Sequence, residues 1–238
     1  MKDKEVKDIF FLTVKISLIA QIITAIIDIY ALTLNYKGDL LLLKGLISLE
    51  LFVQFIEMVF YFWLYFMFNK VEKVTTKRYY DWVLTTPSML FILIVYLDYL
   101  RNNGEIKELN GDNNTTLDYL KNSFNIHGNN WLFIMALNFL MLVFGYLGEL
   151  KILDKYTTVF CGFIPFFIYF YFIYDKYAKY TENGKILFTI FALIWSFYGL
   201  SALLPYLWKN ISYNILDILS KNFFGIFLAY IAIINQIN

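Results

Sequence analysis

The chain has 238 residues, 60% hydrophobic and 21% aromatic, with 3 prolines and a formal net charge of +1; its mean hydropathy is +0.57. A soluble domain of this length cannot hide so much apolar surface, whereas a helical membrane bundle turns it toward lipid. The near-neutral balance offers no basic face to nucleic acid, and a lone cysteine, Cys161, excludes a disulfide, a cysteine-based metal cluster and Cys catalysis.

A short charged run over 1–8 leads directly into a full-length apolar stretch, unlike a cleavable signal peptide, whose apolar core is shorter. Apolar stretches fall at about 8–33, 39–68, 78–100, 130–149, 156–176, 185–208 and 212–236. Each is close to or above the roughly 20 residues that cross a hydrocarbon core. Short polar turns at 35–39, 69–73, 154–156, 179–185 and 209–210 make successive helices antiparallel. Residues 101–129 are polar and rich in Asn and Gly. They read as a loop outside the membrane, with His127 beside Gly128 as a solvated residue. The prediction is an all-α membrane protein: one seven-transmembrane-helix domain over 1–238. An odd number of spans puts the termini on opposite sides, but Lys and Arg are balanced between alternate loops, so the positive-inside rule does not set the orientation. Asn238 follows span seven directly, so no signalling domain is expected.

Polar residues recur at helical spacing inside these spans. Span one carries Ser17, Gln21, Thr24 and Asp28; span two carries Glu50, Gln54, Glu57 and Tyr61; span seven carries Asn214, Asp217 and Asn222. Polar groups are costly against lipid, so these face the bundle interior. Two readings stand. The residues tie helices one, two and seven together by hydrogen bonds, or Ser17, Gln21, Glu50, Gln54, Glu57 and Asn222 line a hydrated ion pathway. The second is favoured because the span-two stripe holds two carboxylates and no cation, and acids along a pore select cations.

Span seven also holds Lys221. An ammonium at that depth costs roughly 2.5–3.5 kcal/mol on insertion scales, which makes it a functional candidate. Asp217 lies four residues earlier on the same face. The pair is either a structural ion pair or an amine consumed as a Schiff base beside a balancing carboxylate. In span three, Asp81 is a second intramembrane acid, with Arg78 three residues before it. A local ion pair would account for Arg78 and Asp81 but not for the adjoining Trp82, Thr85, Thr86 and Pro87. No nucleophile, metal cluster or phosphate loop points to an enzyme.

Arg78, Asp81, Trp82, Thr85, Thr86 and Pro87, taken with Asp217 and Lys221, closely resemble the motifs of microbial (type 1) rhodopsins, the bacteriorhodopsin-like retinal proteins. The resemblance extends over most of the chain. Trp195 and Tyr198 look like the aromatic pair that packs on retinal, and Asn138, Met141 and Gly145 are spaced like the wall around its ring. It implies that Lys221 binds all-trans retinal as a protonated Schiff base, with Asp81 and Asp217 as counterions and Arg78 as the extracellular gate. Trp82, Thr85, Thr86, Asn138, Met141, Gly145, Trp195 and Tyr198 would form the pocket, with Thr86 and Asn138 bridging helices three and four. It further implies an extracellular N-terminus, a cytoplasmic C-terminus, membrane lipids as surroundings and a homo-oligomer.

Three departures matter. Gly199 stands where the family's pumps carry a proline, Ala202 where a tryptophan is usual, and Ile92 where a pump carries its carboxylate proton donor. Carboxylates on helix two also resemble the conduction route of channelrhodopsins. The expected function is therefore a light-gated cation channel, most like the viral channelrhodopsins of giant algal viruses, passing monovalent cations or protons. For a viral protein the membrane would be a host cell's. Ser17, Glu57 and Asn222 would form a central constriction, with Glu50 nearer the cytoplasmic exit. A light-driven outward proton pump is the alternative, and a light sensor is the third class.

Overall fold

In the computed structural model, residues 3–70, 73–105 and 114–237 are described, and all their regular structure is helical. The helices are α1 (Asp3–Thr33), α2 (Leu40–Met67), α3 (Val74–Arg101), α4 (Thr116–Glu149), α5 (Lys155–Lys176), α6 (Glu182–Ser201), α7 (Tyr206–Asp217) and α8 (Phe223–Ile237). A π-helical turn, Ile218–Asn222, joins α7 to α8, so the two act as one membrane helix. Six stretches, Asp3–Thr33, Val74–Arg101, Thr116–Glu149, Lys155–Tyr180, Glu182–Ser201 and Tyr206–Gln236, are long and apolar enough to cross a membrane. With the 28 residues of α2 they make the seven-helix bundle. The protein is an integral, multi-pass membrane protein.

Neighbours in sequence pack side by side, and α7 and α8 return to α1 and close the ring. Outward-facing apolar residues such as Ile26 (62% exposed) and Phe66 (71% exposed) are placed for lipid. Helix α3 differs: every residue from Met89 to Leu97 is buried, because α2, α4 and α6 all pack against it. It is the internal mast of the bundle.

Several helix ends differ from the sequence reading, most at α4 and at the α6–α7 junction. Helix α4 starts at Thr116 rather than at residue 130, so only part of the predicted 101–129 loop is non-helical; its residues 106–113 lie outside the described set. The cause is local. Thr115 accepts from the Asp118 N–H while the Asp118 carboxylate accepts from the Thr115 N–H, a reciprocal cap that starts a helix. Polar composition concealed an inward face of Tyr119, Ser123 and His127. His127 is therefore buried, not solvated. Its Nε2 lies 3.4 Å from Asp98 Oδ2, and its Nδ1 lies 3.3 Å from the Tyr177 hydroxyl.

Helix α6 ends at Ser201 rather than at 208, and α7 begins at Tyr206 rather than at 212. Pro205 sets this break, since it lacks an N–H and its fixed φ of −56° suits a helix entry. Lys209 and Asn210, predicted as a turn, are inside α7. At the α4–α5 corner, Asp154 accepts from the backbone of Tyr156 and Thr157 and caps α5. Hydrogen bonding from Thr157 holds its carboxyl below the usual carboxylate range.

Candidate functional site

The site is built where α2, α3 and the π turn meet. Widening the helix at Ile218–Asn222 carries Lys221 into the centre, where it is 2% exposed. Lys221 Nζ donates to Asp81 Oδ2 at 2.9 Å. It lies 3.5 Å from Glu57 Oε1 and 3.7 Å from Asp217 Oδ1. The nearest acid is thus on α3, not the neighbour four residues back on its own helix. Glu57, expected on an ion pathway, stands beside the same amine.

Arg78 is the second cation, and it serves Asp217 rather than Asp81. Its Nη1 lies 3.0 Å from Asp217 Oδ2. It also donates to Asn214 Oδ1, to Asn210 Oδ1 at 3.3 Å and to the Tyr61 hydroxyl at 3.4 Å. The guanidinium sits over the rings of Phe60, Tyr61 and Tyr213. Asp217 is further held by the hydroxyls of Tyr61 and Tyr198, each donating at 2.7 Å. Tyr198 in turn contacts Ser220 Oγ at 2.8 Å. Three carboxylates therefore face two cations inside the bundle. Charges this deeply buried persist only when paired and hydrogen-bonded, which explains the dense ring of amides and hydroxyls.

A largely apolar cavity adjoins this centre. Trp82, Thr86, Met141, Gly145, Trp195 and Tyr198 line it, and Ser220 brings it to the residue before Lys221. Gly199 and Ala202 form part of the same wall. At Gly199 the Phe163 ring stands 2.7 Å from where a Cβ would sit, so glycine lets this ring approach the helix. Two expected pocket residues are set back from it. Asn138 donates to Thr86 Oγ1 at 2.8 Å, joining α4 to α3. Thr85 bonds the Asp81 carbonyl at 3.0 Å. Tyr79, Phe163, Phe166 and Tyr213 also line the cavity and went unnoticed in the sequence. As ordinary aromatics in aromatic-rich helices they carried no distinguishing spacing. Asn210 was missed for a different reason: its place in the Asn210, Asn214, Asp217 face was hidden by the misplaced turn.

Ser17 stays with the Arg78 side, and on the other side of Lys221 Gln21, Asn222, Gln54 and Glu50 form one seam. Ser17 Oγ donates to the Asn214 carbonyl at 3.2 Å. Gln21 Nε2 donates to Asn222 Oδ1 at 3.2 Å, and Asn222 Nδ2 donates to Gln54 Oε1 at 3.0 Å. Gln54 Nε2 reaches Glu50 Oε1 at 3.2 Å. Ile92, by contrast, is fully buried within an apolar cluster.

An apolar cavity ending beside a buried amine fits a long apolar aldehyde. Asp81 Oδ1, Trp82 Nε1, Trp195 Nε1 and both Glu57 oxygens have no hydrogen-bond partner among the described residues and leave polar capacity beside it, Glu57 Oε1 keeping its 3.5 Å ion pair with Lys221. The comparisons agree. The family model for bacteriorhodopsin-like protein matches residues 12–235. Among solved structures, viral rhodopsin OLPVRII superposes with a TM-score of 0.79 at 21% identity, covering 96% of this chain and 99% of the other. Blue light-absorbing proteorhodopsin from Med12 gives 0.72 at 15% identity, covering 96% and 99%. Xanthorhodopsin, a light-driven ion pump with dual chromophore, gives 0.70 at 17%, covering 96% and 93%. No curated protein matches the chain in sequence. By its family match over nearly the whole chain, this protein belongs to the bacteriorhodopsin-like microbial rhodopsins, membrane proteins that bind retinal and are photoreceptors, pumps or channels rather than enzymes.

Proposed function

We propose that the protein is a light-gated cation channel whose retinal, all-trans in the dark, is carried on Lys221. Bound there as a protonated Schiff base, retinal would supply one event, a light-driven isomerisation. The chain's own residues do the rest. Asp81, Glu57 and Asp217 balance the cation at Lys221. Trp82, Trp195 and Tyr198 restrict motion in the cavity. Arg78 holds Asp217 and closes the side reached by α7.

The observation that carries the channel reading is the polar seam of Gln21, Asn222, Gln54 and Glu50, which runs from Lys221 between α1, α2 and α8. A displacement at Lys221 pulls directly on Asn222, the next residue, and so on the hydrogen bonds that close the seam. This shifts a two-state equilibrium between blocked and open. Acids along the seam favour cations. The same reading puts the N-terminus outside and the C-terminus in the cytoplasm, with a homo-oligomer as the assembly.

Under patch clamp, illumination is expected to give a current that reverses sign with voltage. Current that stays outward at every voltage would establish an outward proton pump instead. Glu57→Gln should change conductance or selectivity while absorbance persists; wild-type currents in this variant would remove Glu57 from the pathway. Asp81→Asn should move the absorption maximum to the red, because losing a counterion destabilises the charge-localised ground state more than the delocalised excited state. An unmoved band would disqualify Asp81 as a counterion.

A further inference from the structure

Asp28 and Glu50 are two acids for which the reading above has no full use. Both are 0% exposed. Both Asp28 oxygens and Glu50 Oε2 lack any hydrogen-bond partner among the described residues. A Cβ on Gly225 would sit 3.2 Å from Asp28 Oδ2 and 3.2 Å from Glu50 Cγ, so the two side chains flank one glycine of α8. The groups facing each other are Asp28 from α1 and Glu50 from α2, with no titratable side chain at the α8 position between them. Lys221 is the cation whose field reaches Glu50, but its ion pairs are with Asp81, Glu57 and Asp217. Two neighbouring carboxylates in a low-dielectric interior, without a paired cation, do not both ionise.

The second oxygen of Glu50 is not idle. It accepts from Gln54, which accepts from Asn222, the residue next to Lys221. Asn222 also donates to Thr24 Oγ1 at 3.1 Å, on the same face of α1 as Asp28. Hydrogen bonds therefore join an acid pair able to carry a proton to Asn222, the residue next to Lys221. Across the bundle, Ile92 offers no proton at all.

We propose that Asp28 and Glu50 hold a proton between them and return it to the nitrogen at Lys221 after light has removed one. This rests on the reading of Lys221 as retinal's anchor. The N–H bond at Lys221 breaks and its proton passes to Asp81 Oδ2, 2.9 Å away in the structure. An O–H bond of the acid pair then breaks, water admitted when the seam opens carries the proton past the Gln54 and Asn222 amides, which do not themselves pass it on, and a new N–H bond forms. The pair is left one charge more negative until a proton from the adjoining aqueous phase restores it, and Asp81 gives the proton it took to water, which closes the cycle. Reprotonation thus comes from the α1–α2 side of the bundle rather than from α3.

Two measurements test this. Infrared spectra of the retinal-free protein should show the carbonyl stretch of a buried protonated carboxyl that disappears in the Asp28→Asn/Glu50→Gln double variant. In the retinal-loaded protein, flash spectroscopy should show proton return slowed on the order of 100-fold in that variant and scaling with bulk proton concentration. If the double variant does not fold, Glu50→Gln alone should shift the band, since Asp28 then holds the proton by itself, and should slow proton return; an unshifted band with an unchanged return rate overturns the proposal. A wild type without the carboxyl band overturns the proposal and leaves a bound metal cation as the occupant. A band that survives the substitutions, or an unchanged return rate, overturns it as well. Failure of the wild type to take up colour would instead sink the retinal reading, and the infrared result would still decide whether the acids share a proton.

Discussion

Lys221→Ala should yield a protein that gains no visible absorbance when retinal is added. No other described lysine lies in the bundle centre: the membrane-flanking lysines, such as Lys209 paired with Glu149 at 2.5 Å, are engaged or peripheral. The substitution also leaves Asp81, Glu57 and Asp217 around a single guanidinium. Removing one partner of a buried ion pair typically costs about 3–5 kcal/mol, so the colourless protein should unfold at lower temperature than the wild type. Protonation of one acid offsets part of this loss, and the deficit should shrink as pH falls. A variant that still forms pigment would overturn the assignment of the anchor.

Arg78→Ala should cost more in stability than any other substitution of a membrane-embedded polar residue on α3. Arg78 is fully buried and bonds Asp217, Asn214, Asn210 and Tyr61 at once. Its loss removes the paired cation of Asp217, leaving two tyrosine hydroxyls and the more distant Lys221, and takes the donor from Asn210 Oδ1, so about 3–5 kcal/mol is expected from the ion pair. Arg78→Lys should recover little. An ammonium on a flexible stem cannot reproduce the planar fork that reaches partners on α2 and α7 together. Thermal denaturation of the purified variants, followed by loss of helical circular dichroism, reads this. Wild-type stability in Arg78→Lys would show that charge alone matters.

The fold was legible because its strongest signal is length: seven apolar runs near membrane thickness leave little freedom. The central chemistry was legible too, since Lys221, Asp81 and Asp217 are improbable inside such runs. What escaped was relational. Sequence spacing joined Lys221 to Asp217, which stands 3.7 Å away, and Arg78 to Asp81, but the shortest pairs cross between helices, Lys221 with Asp81 and Arg78 with Asp217. Nothing in a one-dimensional pattern sets how α2 rotates, so the 3.5 Å approach of Glu57 to Lys221 was not legible in its spacing. The other errors came from composition. The 116–129 stretch is polar enough to pass for loop, yet its reciprocal cap at Thr115 and Asp118 starts a helix whose inward positions follow a four-residue step. Pro205 was a legible stop that was passed over in favour of Lys209 and Asn210.

The enclosed position of α3 has a consequence for how this sequence can vary. In its most apolar window 61% of residues are buried, against 17% in α4. A saturation library scored for pigment should therefore find α3 close to immutable over Met89–Leu97, with even single-methylene changes felt. The lipid side of α4 should accept nearly any apolar replacement. Drift among descendants of this chain should accumulate on its outer helices while the central one stays almost unchanged.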